Sequence, residues 1–299
     1  MPATATATAT QANHRLTALR ELVNQLRLER LAEYRFRGGN VDIGSPAVFG
    51  GQVLGQALMA AARTVSEHVV HSLHGYFLRA GDKAHPIVYE VDLVRDGASF
   101  SMRRVVALQH GQAIFHMSAS FHRRESGVDH QREMPSAPPP EGLTDENDAR
   151  LALREYLPLA ARAVVEQARA VDIRPVDPPH MLSPEQRPPY AQTWLRASGA
   201  LPDDPLIHQA LLAYASDFSL LGVAMRPHGL SFMQPGVQGV SLDHAMWFHR
   251  DFRFDDWLLY ETDSPSAAGA RGFCRGSLFS RDGRLVASVA QEGLIRVHS

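Results

Sequence analysis

Gly50-Gly51-Gln52-Val53-Leu54-Gly55-Gln56-Ala57-Leu58 decides the fold. Pro46, Gly50 and Gly51 mark a turn into an apolar helix that runs to Val65, with Gly55, Ala57, Ala60, Ala61 and Ala62 giving it small sides on which a sheet can lie close. Downstream, Ile87 to Val94, Ser99 to Leu108 and Ala113 to Phe121 read as strands, parted by turns at Arg95-Asp96-Gly97 and His110-Gly111. One long helix followed by consecutive antiparallel strands is a helix wrapped by a curled sheet. The chain then repeats this order. A second apolar helix covers Ile207 to Ala224, and a second sheet covers Ser241 to Val297. Setting Phe77 against Phe248 places Arg79 opposite Arg250, while setting Gly111 against Gly283 places Ala119 opposite Gln291. The polar glutamine is therefore special to the second copy, and two modules with one chemically active interface are expected.

Between and around these modules the sequence changes character. Met1 to Ala12 alternates Thr with Ala and has no large apolar anchor, so residues 1–12 are expected to be a disordered tail. Asn13 then caps a helix with Leu16, Leu19, Leu22, Val23 and Leu26 at helical spacing, and Leu31 to Arg37 reads as a strand. The expected division is a first module over 13–122, a linker with a helical segment (Asp148 to Ala170) over 123–189, and a second module over 190–299 that opens with a strand at Tyr190 to Ala197. Pro135, Pro138, Pro139 and Pro140 mark the linker, and Pro175 to Pro189 reads as irregular.

Composition narrows the function classes. The 299 residues carry 30 Lys and Arg against 32 Asp and Glu, a net charge of -2, so neither nucleic acid nor an anionic membrane is an expected partner. No apolar run reads as long enough to span a bilayer and no secretory signal is apparent, which points to a cytoplasmic protein. Cys274 is the sole cysteine; it excludes an internal disulfide and reads as a small buried side chain. His244 and His249 flank no metal-binding spacing, and structural roles are expected for them, as core roles are for Trp247, Phe248 and Trp257. No cofactor or metal is implied.

Several strings together resemble the acyl-CoA thioesterase II family: Val48 to Ala57, Ser241-Leu242-Asp243-His244-Ala245-Met246-Trp247-Phe248-His249-Arg250, Trp257-Leu258-Leu259-Tyr260, Ala270-Arg271-Gly272 and Gln291-Glu292-Gly293. The resemblance runs from about Leu16 to the end. It implies an α+β double hotdog, two fused modules each with a long helix wrapped by an antiparallel sheet, and an enzyme that hydrolyses fatty acyl-CoA to fatty acid and CoA. It also implies that water is activated without an acyl-enzyme by an Asp, a Thr or Ser, and a Gln, here Asp217, Ser241 and Gln291. Serine stands where the bacterial type form has threonine, which leaves the hydroxyl freer about χ1.

The chemistry asks for such groups. A carboxylate accepts a proton from water, while a hydroxyl and a carboxamide fix its orientation. An Asp of ordinary acidity is a feeble base near neutrality, so positioning must supply most of the effect. Amides at a helix N-terminus suit the developing oxyanion, though the sequence does not say which helix. Taken singly, Asp217 is a helix cap and Ser241 and Gln291 are hydrogen-bond fillers; only the family strings join them. Arg250, Arg253, Arg271 and Arg275 are candidates for the CoA phosphates, or equally for surface pairs with Asp251, Asp255 and Asp256. Two rivals remain open at this stage: a hotdog enoyl-CoA hydratase using Asp243 and His244, whose side chains would have to converge from opposite strand faces, and a non-catalytic acyl-CoA binder. A homodimer or homotetramer is expected from the way single-module relatives pair.

Overall fold

The computed structural model describes residues 2–157, 159–178, 181–182 and 184–298; Met1, Pro158, Pro179, His180, Ser183 and Ser299, on which parts of the tail, linker and second-module expectations fall, lie outside it. In the first half, α1 (Pro2–Leu26) and the hairpin β1 (Glu29–Ala32) and β2 (Arg35–Gly38) precede α2 (Gly50–Ala62). Strands β3 (Val69–Phe77), β4 (Ile87–Asp96), β5 (Phe100–Gln109) and β6 (Gln112–His122) follow. The connection carries α3 (Glu146–Ala152) and α4 (Leu159–Glu166). The second half holds β7 (Val171–Pro175), β8 (Tyr190–Ala197), α5 (Pro205–Ser216) and α6 (Leu220–Met225), then β9 (Val237–Ser241), β10 (Asp243–Phe248), β11 (Leu258–Ala268), β12 (Arg271–Ser280) and β13 (Leu285–Val297).

All strands form one antiparallel sheet in the order β1-β2-β4-β5-β6-β3-β10-β13-β12-β11-β8-β7, with β9 also on β13. The halves join where β10 pairs with β3, His244 against Gly75 and Met246 against Leu73. The internal repeat holds at the level of single bonds. Leu78 N donates to Ile114 O at 2.8 Å and Arg79 Nη1 to Ala113 O at 2.7 Å; in the second half His249 N donates to Val286 O at 2.8 Å and Arg250 Nη1 to Leu285 O at 2.9 Å.

Helices α2 and α5 pack across this seam because α2 keeps glycine where it crosses its partner. A Cβ on Gly51 would fall 2.2 Å from the Tyr214 carbonyl oxygen, and one on Gly55 2.9 Å from that of Ala210. The buried amides of α2 tie down the preceding loop: Gln52 Oε1 accepts from Val41 N at 2.7 Å, and Gln56 Nε2 donates to Gly39 O at 2.9 Å. A small second core of Trp194, Trp257, Leu259 and Phe279 lies under linker residues Met134, Ala137 and Leu143, so this proline-rich stretch is strapped to the second half.

Four expectations need correction. The first helix begins at Pro2 rather than Asn13, in keeping with the high helix propensity of the alternating alanines and a proline at the helix start. The strand read at Leu31 to Arg37 is a hairpin turning between Ala32 and Arg35. The second apolar helix is broken: α5 ends at Ser216, Asp217 is its C-cap, and Ser219 adopts a left-handed φ of 64° before α6. Finally, the stretch Pro205–His228 is long and apolar enough to cross a bilayer by composition, but 72% of its apolar window is buried inside the protein, where it serves as core.

Candidate active site

The break between α5 and α6 turns Asp217 away from the helix axis toward the sheet. Tyr260 Oη donates to Ser216 O at 3.0 Å, taking up one of the carbonyls that the ending helix leaves unpaired. Ser241 closes β9 and Gln291 lies on β13; Ser241 pairs with Gly293, two residues beyond Gln291 and so on its face of the strand. Three elements thus deliver one polar side chain each to a single point.

The hydrogen bonds there have a definite sense. Ser241 Oγ donates to Asp217 Oδ1 at 3.2 Å, and Gln291 Nε2 donates to Asp217 Oδ1 at 2.8 Å and to Ser241 Oγ at 2.6 Å. Oδ1 therefore holds two donors. The second carboxylate oxygen, Oδ2, faces the start of α2, where a Cβ on Gly50 would stand 2.8 Å from it and 3.0 Å from the Phe77 ring. The Asp217 side chain is 5% and Gln291 1% exposed, Ser241 is half-buried, and Gln291 Oε1 is buried without a hydrogen-bond partner.

At the start of α2, Phe49 supplies no side-chain cap, and the first helical bonds run from Gln52 and Val53 to the Phe49 carbonyl. The Gly50 and Gly51 amides ahead of them are left unspent by helix geometry, at the positive end of the helix dipole. The sequence named the Gly-Gly pair without seeing this use; two glycines opening an otherwise apolar helix were the available signal. Phe49 stacks on Phe218 at 4.5 Å and meets Tyr214 edge-on at 5.2 Å, which fixes the turn beside the carboxylate.

His244 contributes an arrangement that resembles a serine hydrolase triad and differs from one. Its Nε2 lies 2.9 Å from Ser216 Oγ and its Nδ1 4.0 Å from Asp217 Oδ1. Ser216 is fully buried and its hydroxyl donates to Ala213 O at 3.0 Å, so it is no nucleophile, and 4.0 Å is too long for a hydrogen bond. Burial pushes the imidazole down to about 4, with the Asp217 charge opposing, so His244 is neutral at pH 7. Its Nδ1 has no partner, and the structural role expected from sequence is only half satisfied. The neighbouring Asp243 points the other way, accepting from Glu292 N at 2.6 Å, so the pair that a hydratase would need does not converge. Burial drives the Cys274 thiol up to about 12, as befits a packed side chain rather than a nucleophile.

Among the expected core aromatics, Phe248 and Trp257 are buried, whereas Trp247 is half-buried and sits edge-on to His74 at 5.1 Å. The arginines proposed for phosphate do not stand free. Arg250 pairs with Asp129, Arg271 with Glu292 at 3.0 Å and Arg275 with Asp263 at 2.5 Å. Arg253 is held by Asp203 and Asp255. Among the described residues, the group whose atoms lie close enough to share a cation is Asp82, His85 and His110, an exposed cluster in which Asp82 Oδ2 already meets both imidazoles. A single carboxylate with a hydroxyl and an amide, as at Asp217, is a poor ligand set for a transition metal.

Residues 166–294 match the acyl-CoA thioesterase family, and residues 38–122 match the acyl-CoA thioesterase N-terminal domain. Human acyl-coenzyme A thioesterase 8 is 44% identical over 288 residues, spanning 91% of this chain and 88% of its own. The crystal structure of an acyl-CoA thioesterase II, TesB2, from Mycobacterium marinum aligns with a TM-score of 0.76 at 43% identity, covering 94% of this chain and 99% of that one. A protein of unknown function with a hot dog fold from Alicyclobacillus acidocaldarius aligns at 0.73 with 20% identity over 93% and 98% of the two chains, a likeness of fold alone. With a family match in each half and relatives above 40% identity over nearly the whole length, this α+β chain belongs to the acyl-CoA thioesterase family.

Proposed function

We propose that the protein hydrolyses fatty acyl-CoA to a free fatty acid and CoA by direct attack of water. Asp217 is the base, Ser241 and Gln291 set its orientation, and the Gly50 and Gly51 amides take the oxyanion. The observation that carries this reading is the division of labour on one carboxylate: Oδ1 is held by Ser241 and Gln291, while Oδ2 faces the uncapped start of α2. A water on Oδ2 gives up a proton to it as its oxygen attacks the thioester carbon. The carbonyl oxygen becomes negative against the two amides; the C–S bond then breaks, and the proton on Asp217 passes to the departing thiolate. Ser241 serves in this reading as an orienting group, its hydroxyl donating to Oδ1, the oxygen that Gln291 also holds.

The rest of the reading is two modules, 13–122 and 190–299, joined by 123–189, in a cytoplasmic homodimer or homotetramer. The matched carbonyl bonds of Arg79 and Arg250 support the modular division, and sedimentation equilibrium tests the assembly. For the chemistry, Asp217→Asn keeps the shape of the side chain and removes the base. It is expected to lower thiol release from fatty acyl-CoA by about 10²- to 10⁴-fold, the usual worth of a positioned general base. A single turnover in ¹⁸O-water should put the label in the fatty acid and none in Asp217. Label in the aspartate would replace water by the carboxylate as nucleophile.

A further inference from the structure

Arg250, Arg253, Arg271 and Arg275 each face a carboxylate, so a phosphate that reached any of them would have to displace an ion-pair partner. We infer that Arg79, in the first half, is the phosphate-binding arginine of this enzyme, an assignment that rests on the acyl-CoA hydrolase reading above. Its position follows from contacts at both ends of a five-residue run. Phe77 packs where a Gly50 Cβ would be, at 3.0 Å, and Gly81 O accepts from Val48 N at 3.0 Å. Residues 77–81 therefore lie along the 48–50 turn that carries Gly50 to the Asp217 carboxylate. Arg79 sits midway on this run and is exposed. Because the pantetheine arm keeps the phosphates well away from the thioester, the cation that meets them belongs on the rim, as this one does.

The internal repeat supplies the contrast. Arg79 and Arg250 make the same bond from Nη1 to a backbone carbonyl, which anchors one corner of the guanidinium. Nη2 of Arg250 is then taken by Asp129, whereas among the described residues no carboxylate lies within ion-pair distance of Arg79. The acid nearest in sequence, Asp82, is spent on His85 at 2.7 Å, His110 at 3.3 Å and Ala84 N at 2.9 Å. Lys83 is likewise taken, by Asp42 at 3.0 Å. What remains is an exposed fork of guanidinium donors, anchored by one corner, beside the proposed site. That is the geometry in which arginine binds a phosphate.

The test compares one acyl group on three carriers: CoA, 3′-dephospho-CoA and N-acetylcysteamine, which lacks phosphate. Arg79→Ala should raise KM for acyl-CoA about tenfold, as expected for the loss of a charge-assisted contact, with kcat little changed. Arg79→Lys should recover part of the loss, and kcat/KM on the N-acetylcysteamine ester should follow the wild type. A KM penalty that persists on the dephospho ester assigns Arg79 to the pyrophosphate; one that disappears assigns it to the 3′-phosphate. Equal losses on acyl-CoA and the N-acetylcysteamine ester would make Arg79 a structural residue and overturn the inference, as would an unchanged KM for acyl-CoA. Failure of the wild type to cleave any of the three would instead remove the hydrolase reading itself.

Discussion

Gly50→Ala isolates the face of Asp217 on which the proposed hydrolysis depends. The added Cβ would lie 2.8 Å from Asp217 Oδ2 and 3.0 Å from two carbons of the Phe77 ring. A methyl carbon needs roughly 3.3 Å from an oxygen, so the carboxylate must retreat by about half an ångström or swing, since the backbone of α2 is pinned on its other side by α5. Two effects oppose each other in stability. Alanine improves a helix position by up to about 1 kcal/mol over glycine, while disturbing the two hydrogen bonds on Oδ1 costs about 1 kcal/mol each. The difference, a net loss of about 1 kcal/mol, predicts a melting temperature within a few degrees of the wild type. Catalysis has no such compensation. The methyl takes the place proposed for the attacking water, and misplacing a reacting group by about 1 Å is worth some 10²-fold in rate. The amide N–H is retained, so the loss would lie in the water's position rather than in the oxyanion contacts. Thiol release from a saturated acyl-CoA, measured beside a thermal melt, gives both numbers. A folded variant with kcat within threefold of the wild type would show that Oδ2 does not face the nucleophile.

Two other perturbations separate stability from chemistry. His244 titrates near 4 in the folded protein against about 6.5 unfolded, so its contribution is complete above pH 6.5 and declines as pH falls toward 4. The full swing is about 3 kcal/mol; urea unfolding at pH 7 and pH 4.5 should show the wild type losing about 2–3 kcal/mol more than His244→Gln, and equal losses would mean that the imidazole is not held neutral by burial. Gly51→Ala drives a Cβ to 2.2 Å from the Tyr214 carbonyl, a backbone atom that cannot rotate away. Overpacking of this kind costs about 1–3 kcal/mol, and a melt unchanged relative to Gly142→Ala, whose Cβ meets nothing within 4 Å, would contradict the close helix crossing.

What could be read from sequence followed from local pattern, and what could not depended on partners distant in the chain. The Gly-opened helix and the alternating strands announced two copies of one module, and β8 lies where alternation put it, Tyr190–Ala197. The edge strand β7 was missed, because Val171 to Pro175 follows a helical stretch and ends in proline, a residue tolerated at the margin of a sheet. The break after Ser216 was hidden inside apolar residues that continue through Met225; its causes lie in Tyr260, on another strand, and in the groups gathered at Asp217. The free or paired state of each arginine was equally invisible. Asp129, which takes Arg250, lies 121 positions away in the linker. The trio itself was legible only through family strings, since Asp217, Ser241 and Gln291 carry no shared periodicity.

The repeat also explains why only one of two equivalent interfaces carries the groups proposed for hydrolysis. Each would combine the start of one module's helix with the end of the other's. The α2 end has an uncapped Gly-Gly start, whereas α5 begins with Pro205, which has no N–H, and its next amide, Leu206 N, is taken by the Asp204 side chain at 3.0 Å. The groups that would face those amides differ in step. The C-cap that is Asp217 in α5 is Arg63 in α2, which spends its guanidinium on the Arg27 and Leu28 carbonyls. The strand register pairs Ser241 with Gly293 in one half and Val70 with Phe121 in the other, so valine stands in place of the hydroxyl, and Ala119 in place of Gln291. Restoring one group to this second interface therefore cannot restore chemistry there. With base, hydroxyl, amide and oxyanion donors all replaced, Ala119→Gln alone is expected to add no turnover to an Asp217→Asn background.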